Sequence, residues 1–209
     1  MEHFEDKNCH RTAYEIAVQD RSTLRYYLGL IVRWKQQWKY KYARYIARKR
    51  GAKIGEGVIM PISLAKKCNG NLTIGNHTSI ASDNFSSFRY PVEIGSHVII
   101  GSGVKFVMGS HRLDSSDWEH YRPNPKLVIE DYVWLCPDSV VLPSVSRIGY
   151  GSVLGANAVA IKDIEQMSIN GGNPAKKISM RKCVHSDLIV ESLLGGDYDI
   201  YKLVRYRKF

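Results

Sequence analysis

From Ile54 onward an aliphatic or aromatic side chain recurs every six residues, and no other feature constrains the fold of this 209-residue chain as tightly. Ile54, Ile74, Ile80, Ile94, Ile100, Phe106, Ile129, Leu135, Val141, Ile148 and Leu154 each open a hexad, and in six of the eleven the next residue is Gly. A period of six matches neither the 3.6 of an amphipathic helix nor the 2 of a lone strand. It fits short straight strands joined by turns of fixed length, with the opening residue pointing inward onto its equivalent in the next coil. Such units bury a continuous core only by stacking, so several are needed.

The breaks in phase are as informative. Residues 112–127, RLDSSDWEHYRPNPKL, have no hexad phase, and Pro123 and Pro125 favour a turn or an extended loop. Loops leaving a rigid scaffold commonly carry function. Met60 to Leu72 is a second interruption. Between Val141 and Ile148 the step is seven, so Arg147 reads as an extra residue bulging at a corner.

With these residues in view, the chain from 54 to about 178 resembles the hexapeptide-repeat acyltransferases, whose fold is a left-handed parallel β-helix. The resemblance is strongest to the galactoside, maltose and xenobiotic O-acetyltransferases and to those of surface-polysaccharide synthesis. It rests on Val128-Ile-Glu-Asp-Tyr-Val-Trp134, Val140-Val-Leu-Pro143, Ile148 through Val159, Lys162-Asp163 and Gly171 through Ile178. The expected fold class is therefore all-β, with a helical basic segment at 1–53, the β-helix at 54–178 and a helical cap and tail at 179–209. Ser186 to Leu194 reads as a short capped helix ended by Gly195-Gly196.

Acyl transfer to a hydroxyl or amine needs a base, and an imidazole titrating near neutrality suits it. The resemblance implies His111 in Met108-Gly-Ser-His-Arg112 as that base, acetyl-CoA as donor, no metal, and a homotrimer with active sites between subunits. It points to Trp134 beside the thioester, Gly155 and Ala156 along the pantetheine arm, and Ile161, Lys162, Asn173, Pro174 and Lys176 toward the nucleotide. Ala175, Lys177 and Arg181 join that group. For the acceptor it points to Ser82, Asp83 and Asn84 and to the loop residues Arg112, Asp114, Trp118 and Tyr121; His120 could line the same site. Asp114 or Asp117 could orient the imidazole. His77 and His97 hold the fourth place of their hexads and are expected to face outward in structural roles. One departure stands out. Three residues after Trp134 the family usually offers a free backbone N–H, whereas this chain has Pro137, which has none. Cys136 or Asp138 could supply it instead.

The charge is localised. Residues 21–53 carry 11 Lys and Arg and no Asp or Glu, so the rest of this +10 chain is close to neutral. Leu24, Leu28, Ile31, Trp34, Trp38, Tyr42 and Tyr45 recur at steps of three or four, which predicts one long helix or two, with Asp20 or Ser22 at the start and Gly51 at the stop. This helix could pack on its own protein or a sister subunit, or lie on an anionic membrane surface. Basic plus aromatic is also a generic nucleic-acid footprint, but no module stands behind it and no nucleic acid is expected.

The longest uncharged apolar run is far short of the roughly 20 residues a span requires. Four cysteines without CxxC spacing form neither a zinc frame nor a disulfide scaffold. The expectation is a cytoplasmic O-acetyltransferase, peripheral to the membrane, acting on a sugar or lipid-linked surface-polysaccharide intermediate. The rivals are N-acetylation of a nucleotide-linked amino sugar, a non-catalytic scaffold, and a zinc carbonic anhydrase on the same β-helix, for which the paired histidines are missing.

Overall fold

A computed structural model describes residues 13–121, 123–184 and 198–206. The hexads close into a parallel β-helix with three faces. Numbered along the chain, the first sheet holds β1 (Lys53–Ile54), β2 (Leu72–Ile74), β5 (Val92–Ile94), β10 (Leu127–Ile129) and β13 (Arg147–Ile148). The second holds β3 (Ser79–Ile80), β6 (Ile99–Ile100), β11 (Trp134–Leu135), β14 (Val153–Leu154), β16 (Ser168–Gly171) and an antiparallel last strand, β17 (Lys176–Met180). The third holds β4 (Asn84–Phe85), β7 (Lys105–Phe106), β12 (Val140–Val141) and β15 (Val159–Ala160).

Register converts the period into a core. Ile74, Ile94, Ile129 and Ile148 stand in line on the first sheet, and Ile80, Ile100, Leu135 and Leu154 on the second, all buried. The third column tapers from Phe85 and Phe106, stacked at 4.2 Å, to Val141 and Ala160. Each large aliphatic buried this way contributes on the order of 1.5–3 kcal/mol. The strands are too short to satisfy their own turns, so backbone bonds run coil to coil, as from the Ile99 amide to the Val133 carbonyl at 2.9 Å.

Corners require left-handed backbone. His77, His97 and Tyr132 take φ of 52°, 57° and 59° at one corner. Bulky residues rarely do this, and here their rings stack: His77 on His97 at 5.5 Å, and His97 on Tyr132 at 4.8 Å and nearly parallel. Both histidines are therefore built into a corner ladder.

One expectation about the breaks changes. Arg147 does not bulge: it is a regular strand residue opposite Val128, and its guanidinium bonds Glu130 at 2.7 Å. The extra residue lies before it, in the third corner, where the Asp163 carboxylate accepts the Ser146 and Arg147 amides at 2.6 and 3.0 Å. The interruption after Met60 holds a short helix, α3 (Ile62–Lys67), which buries Leu64 and Ala65.

The basic segment is one helix, α2 (Thr23–Lys49), preceded by α1 (Ala13–Gln19). Ser22 stands at its N-cap without a side-chain cap bond, and Gly51, at φ 91°, follows its end. Ala43 and Ala47 press on the first coil, where small side chains allow close approach. Arginine forks fasten the junction: Arg44 to the Val58 carbonyl at 2.8 Å, Arg48 to Ile54 at 2.8 Å, Arg50 to Cys68 at 2.9 Å. The other end of α2 meets α4 (Tyr198–Tyr206), where Tyr26 stacks on the fully buried Tyr201 at 5.1 Å. The expected helix at 186–194 lies outside the described residues. Cys68, Cys136 and Cys183 are free thiols, and burial raises the pKa of the first two.

Candidate active site

The phase-free stretch leaves the third face after β7 as a hairpin. Its strands are β8 (Ser110–His111) and β9 (His120–Tyr121), paired Ser110 to Tyr121 and His111 to His120. The Ser86 hydroxyl accepts the Met108 amide at 2.8 Å and anchors the base of the hairpin. The tip turns through Trp118, whose φ is 54°. That turn sets the Trp118 carbonyl 2.5 Å from Nδ1 of His111. A carbonyl only accepts, so Nδ1 carries a proton, and in the neutral imidazole the lone pair is then on Nε2. The His120 ring stacks on His111 at 4.8 Å. His111 is exposed on the outside of the coils.

The orienting group is thus a backbone carbonyl rather than a loop carboxylate. Asp114 lies 3.8 Å from Arg112, which also faces Glu119 at 3.9 Å. Asp117 accepts the Ser115 hydroxyl, and that bond first of all holds its carboxyl below the usual range. Sequence reasoning missed Trp118 in this role because a carbonyl has no residue identity; only the tip's conformation aims it.

The other expected residues fall into separate groups. Trp134 projects from the second face between Ile99 and Val153 and is 45% exposed. Gly155 and Ala156 form the next corner, where the Gly155 amide bonds the Asn170 carbonyl. Asn173 and Pro174 lie in the crossing between β16 and β17, joined by a cis peptide. Backbone bonds from Val159 to Gly172 and from Ala175 to Val159 seat that crossing on β15.

Lys162, Lys176 and Lys177 do converge, around a cavity of about 320 Å³ that Asp163, Glu165, Asn170 and Ala175 also line. Glu165 holds Lys177 at 2.7 Å. Among the described residues Lys162 and Lys176 form no ion pair, so the cavity offers two cations to an anion. Ile161, half-exposed beside it, accepts the Ser144 hydroxyl through its carbonyl at 2.6 Å. Arg181 does not join them. It donates to the Tyr132 and Gly151 carbonyls at 3.0 and 3.2 Å, and burial lowers its pKa.

On the acceptor side, Ser82 is buried and donates to the Val104 carbonyl at 2.6 Å, so it is part of the scaffold. Asp83 faces Lys67 at 3.5 Å; a bond from Ser63 is the main cause of its lowered pKa. Asn84 points outward beside Lys105 on the third face. Arg112, Trp118 and Tyr121 are exposed on the hairpin with His111. The replacement donors at Pro137 are not available: the Cys136 amide bonds Leu154 at 2.9 Å and the Asp138 amide bonds Ser102 at 3.0 Å.

No protein-family model matches the chain. It is 31% identical over 152 residues, 72% of this chain and 81% of the relative, to the protein named colanic acid biosynthesis acetyltransferase WcaF of Escherichia coli (strain K12). A chloramphenicol acetyltransferase of Klebsiella aerogenes is 33% identical over 107 residues, 42% of this chain and half of that one. Among solved structures, the hexapeptide-repeat acetyltransferase VCA0836 of Vibrio cholerae O1 biovar eltor, complexed with acetyl-CoA, covers 79% of this chain and 97% of its own. Its TM-score is 0.54 at 25% identity. The coils, the extruded histidine and a relative matched over most of both lengths lead to one conclusion: the chain belongs to the hexapeptide-repeat acetyltransferase family.

Proposed function

We propose that this acetyl-CoA-dependent acetyltransferase acylates a hydroxyl of a saccharide in surface-polysaccharide synthesis, with His111 as general base. The observation that carries the reading is the contact between His111 Nδ1 and the Trp118 carbonyl, which leaves Nε2 free to accept a proton. The acceptor hydroxyl gives its proton to Nε2 as its oxygen bonds the acyl carbon. The carbon–sulfur bond breaks, and His111 returns the proton to the departing sulfur. The name of the relative matched over 81% of its length ties that protein to a polysaccharide, which supports the acceptor class.

The residues fit the donor. Lys162 and Lys176 suit phosphates, Ala156 is a small exposed residue at the corner after β14 while Gly155 packs against the Asn170 carbonyl, and Trp134 stands exposed for the thioester end. Within one chain His111 leaves the third face while Trp134 projects from the second. A trimer, in which a neighbour supplies the opposing wall, reconciles the two. With Pro137 in place and the adjacent amides engaged, the acyl oxygen takes its hydrogen bond from a group outside this turn.

The test is thiol release from acetyl-CoA across a panel of sugars, sugar nucleotides and oligosaccharides, with the mass of the product. Addition of 42 Da, removable by mild base, marks an ester and supports O-transfer. A base-stable product on an amino sugar would replace the reading with N-transfer. Absence of any acceptor-dependent release would remove it.

A further inference from the structure

Three of the four arginines of helix α2 turn inward: Arg44 and Arg48 bond carbonyls of the first coil, and Arg33 lies 3.9 Å over the Tyr201 ring, while Arg25 is exposed. Its lysines, Lys35, Lys39, Lys41 and Lys49, are exposed on the opposite side. Between them runs an apolar stripe. Leu28, Ile31, Trp34, Trp38, Tyr42 and Tyr45 are each 50–57% exposed, and at 100° per residue they fall within one arc of the helix. The 27-residue helix is about 40 Å long, and the stripe follows most of it. Lysine ammoniums sit over the stripe's rings, Lys41 at 5.5 Å from Trp38 and Lys49 at 5.1 Å from Tyr45. This leaves charged tips reaching past an aromatic floor.

The charge selects what covers this face. A second copy of α2 packed helix to helix on this face would set cations against cations, because residues 21–53 include no acidic residue. An anionic partner is complementary, and a flat one meets a straight stripe along its length. Trp and Tyr favour the boundary between headgroups and acyl chains, and Lys favours lipid phosphates. No described helix is long and apolar enough to cross a membrane, so α2 would lie along the surface. We propose that the outer face of α2 docks on an anionic phospholipid bilayer, with Trp34 and Trp38 at the acyl boundary and Lys35, Lys39, Lys41 and Lys49 on the phosphates. The inference stands apart from the catalytic reading.

The experiment is flotation of the full-length protein with phosphatidylcholine vesicles, with and without phosphatidylglycerol. Binding is expected only to the anionic vesicles and is lost in high salt. Lys35→Gln with Lys39→Gln should weaken it about thirty-fold, at roughly fivefold per charge. Trp34→Ser with Trp38→Ser should abolish it at unchanged charge. All variants should keep the wild-type circular dichroism and turnover in free solution. Three outcomes overturn the proposal: no flotation at low salt, equal flotation with neutral vesicles, or loss of oligomeric mass by light scattering in the tryptophan variant, which would put a second copy on this face.

Discussion

His111 and Trp118 are joined side chain to backbone across the hairpin, Nδ1 to carbonyl oxygen at 2.5 Å. The contact fixes both the tautomer and the ring plane before any acceptor arrives. His111→Ala should lower kcat/KM by about 10²–10⁴. Circular dichroism and melting should not change, because the side chain is exposed and supports no core packing. Full turnover in this variant would remove His111 from the chemistry.

The His120 imidazole stacks on His111 at 4.8 Å in the paired strand, and we propose that it supports that ring. A stacked pair is worth about 1 kcal/mol. His120→Ala should therefore reduce kcat about fivefold, while His120→Phe, which keeps the stack, restores it. A parallel series of pH–rate profiles should retain one base limb in all three proteins. Loss of that limb in His120→Phe would make His120 the base.

The Lys162 and Lys176 cations should act on donor binding alone. Lys162→Ala and Lys176→Ala are each expected to raise KM for acetyl-CoA about fivefold, the effect of one half-exposed charge on a phosphate, with kcat held. Steady-state kinetics at saturating acceptor check this. A fall in kcat without a change in KM would move these lysines out of the donor site.

Asp163 makes stability depend on acid. Burial alone would raise its pKa, but bonds from the Ser146 hydroxyl and from the Ser146 and Arg147 amides outweigh it, and the carboxyl titrates below the usual carboxylate range. A folded-state pKa below the unfolded one gives stability that is fully present above the unfolded value, about 3.9, and is lost as pH falls through the folded one. Asp163→Asn should cost about 1 kcal/mol at neutral pH, discounted for its exposure. Denaturant melts of wild type and variant should converge as the buffer is taken toward pH 2. A gap that persists unchanged in acid would refute the linkage.

Much of the coil stack was legible because its signal is local. Ile74, Ile94, Ile129 and Ile148 sit in one column since each follows the same turn geometry, and a repeated turn repeats its sequence. The seven-residue step was visible too, but its place was not: Arg147 looked extra, whereas strand pairing sets it opposite Val128 and puts the surplus in the corner before it. Ser82 read as an acceptor contact because hydroxyls suit sugars; its burial against Val104 comes from the next coil. Arg181 read as a phosphate contact and instead closes on carbonyls of Tyr132 and Gly151, 49 and 30 residues away.

The hexad period dictated a stacked β-helix because it depends on spacing along the chain, and the family resemblance those hexads carry pointed to His111 as a candidate base. Tertiary packing alone turned the Trp118 carbonyl onto that histidine and drew Arg33, Arg44 and Arg48 of α2 inward while its lysines stayed exposed. It also joined Tyr26 to Tyr201 across 175 residues. Those outcomes depend on which surfaces meet, and a carbonyl's direction or an arginine's partner leaves no periodic trace in the residues themselves.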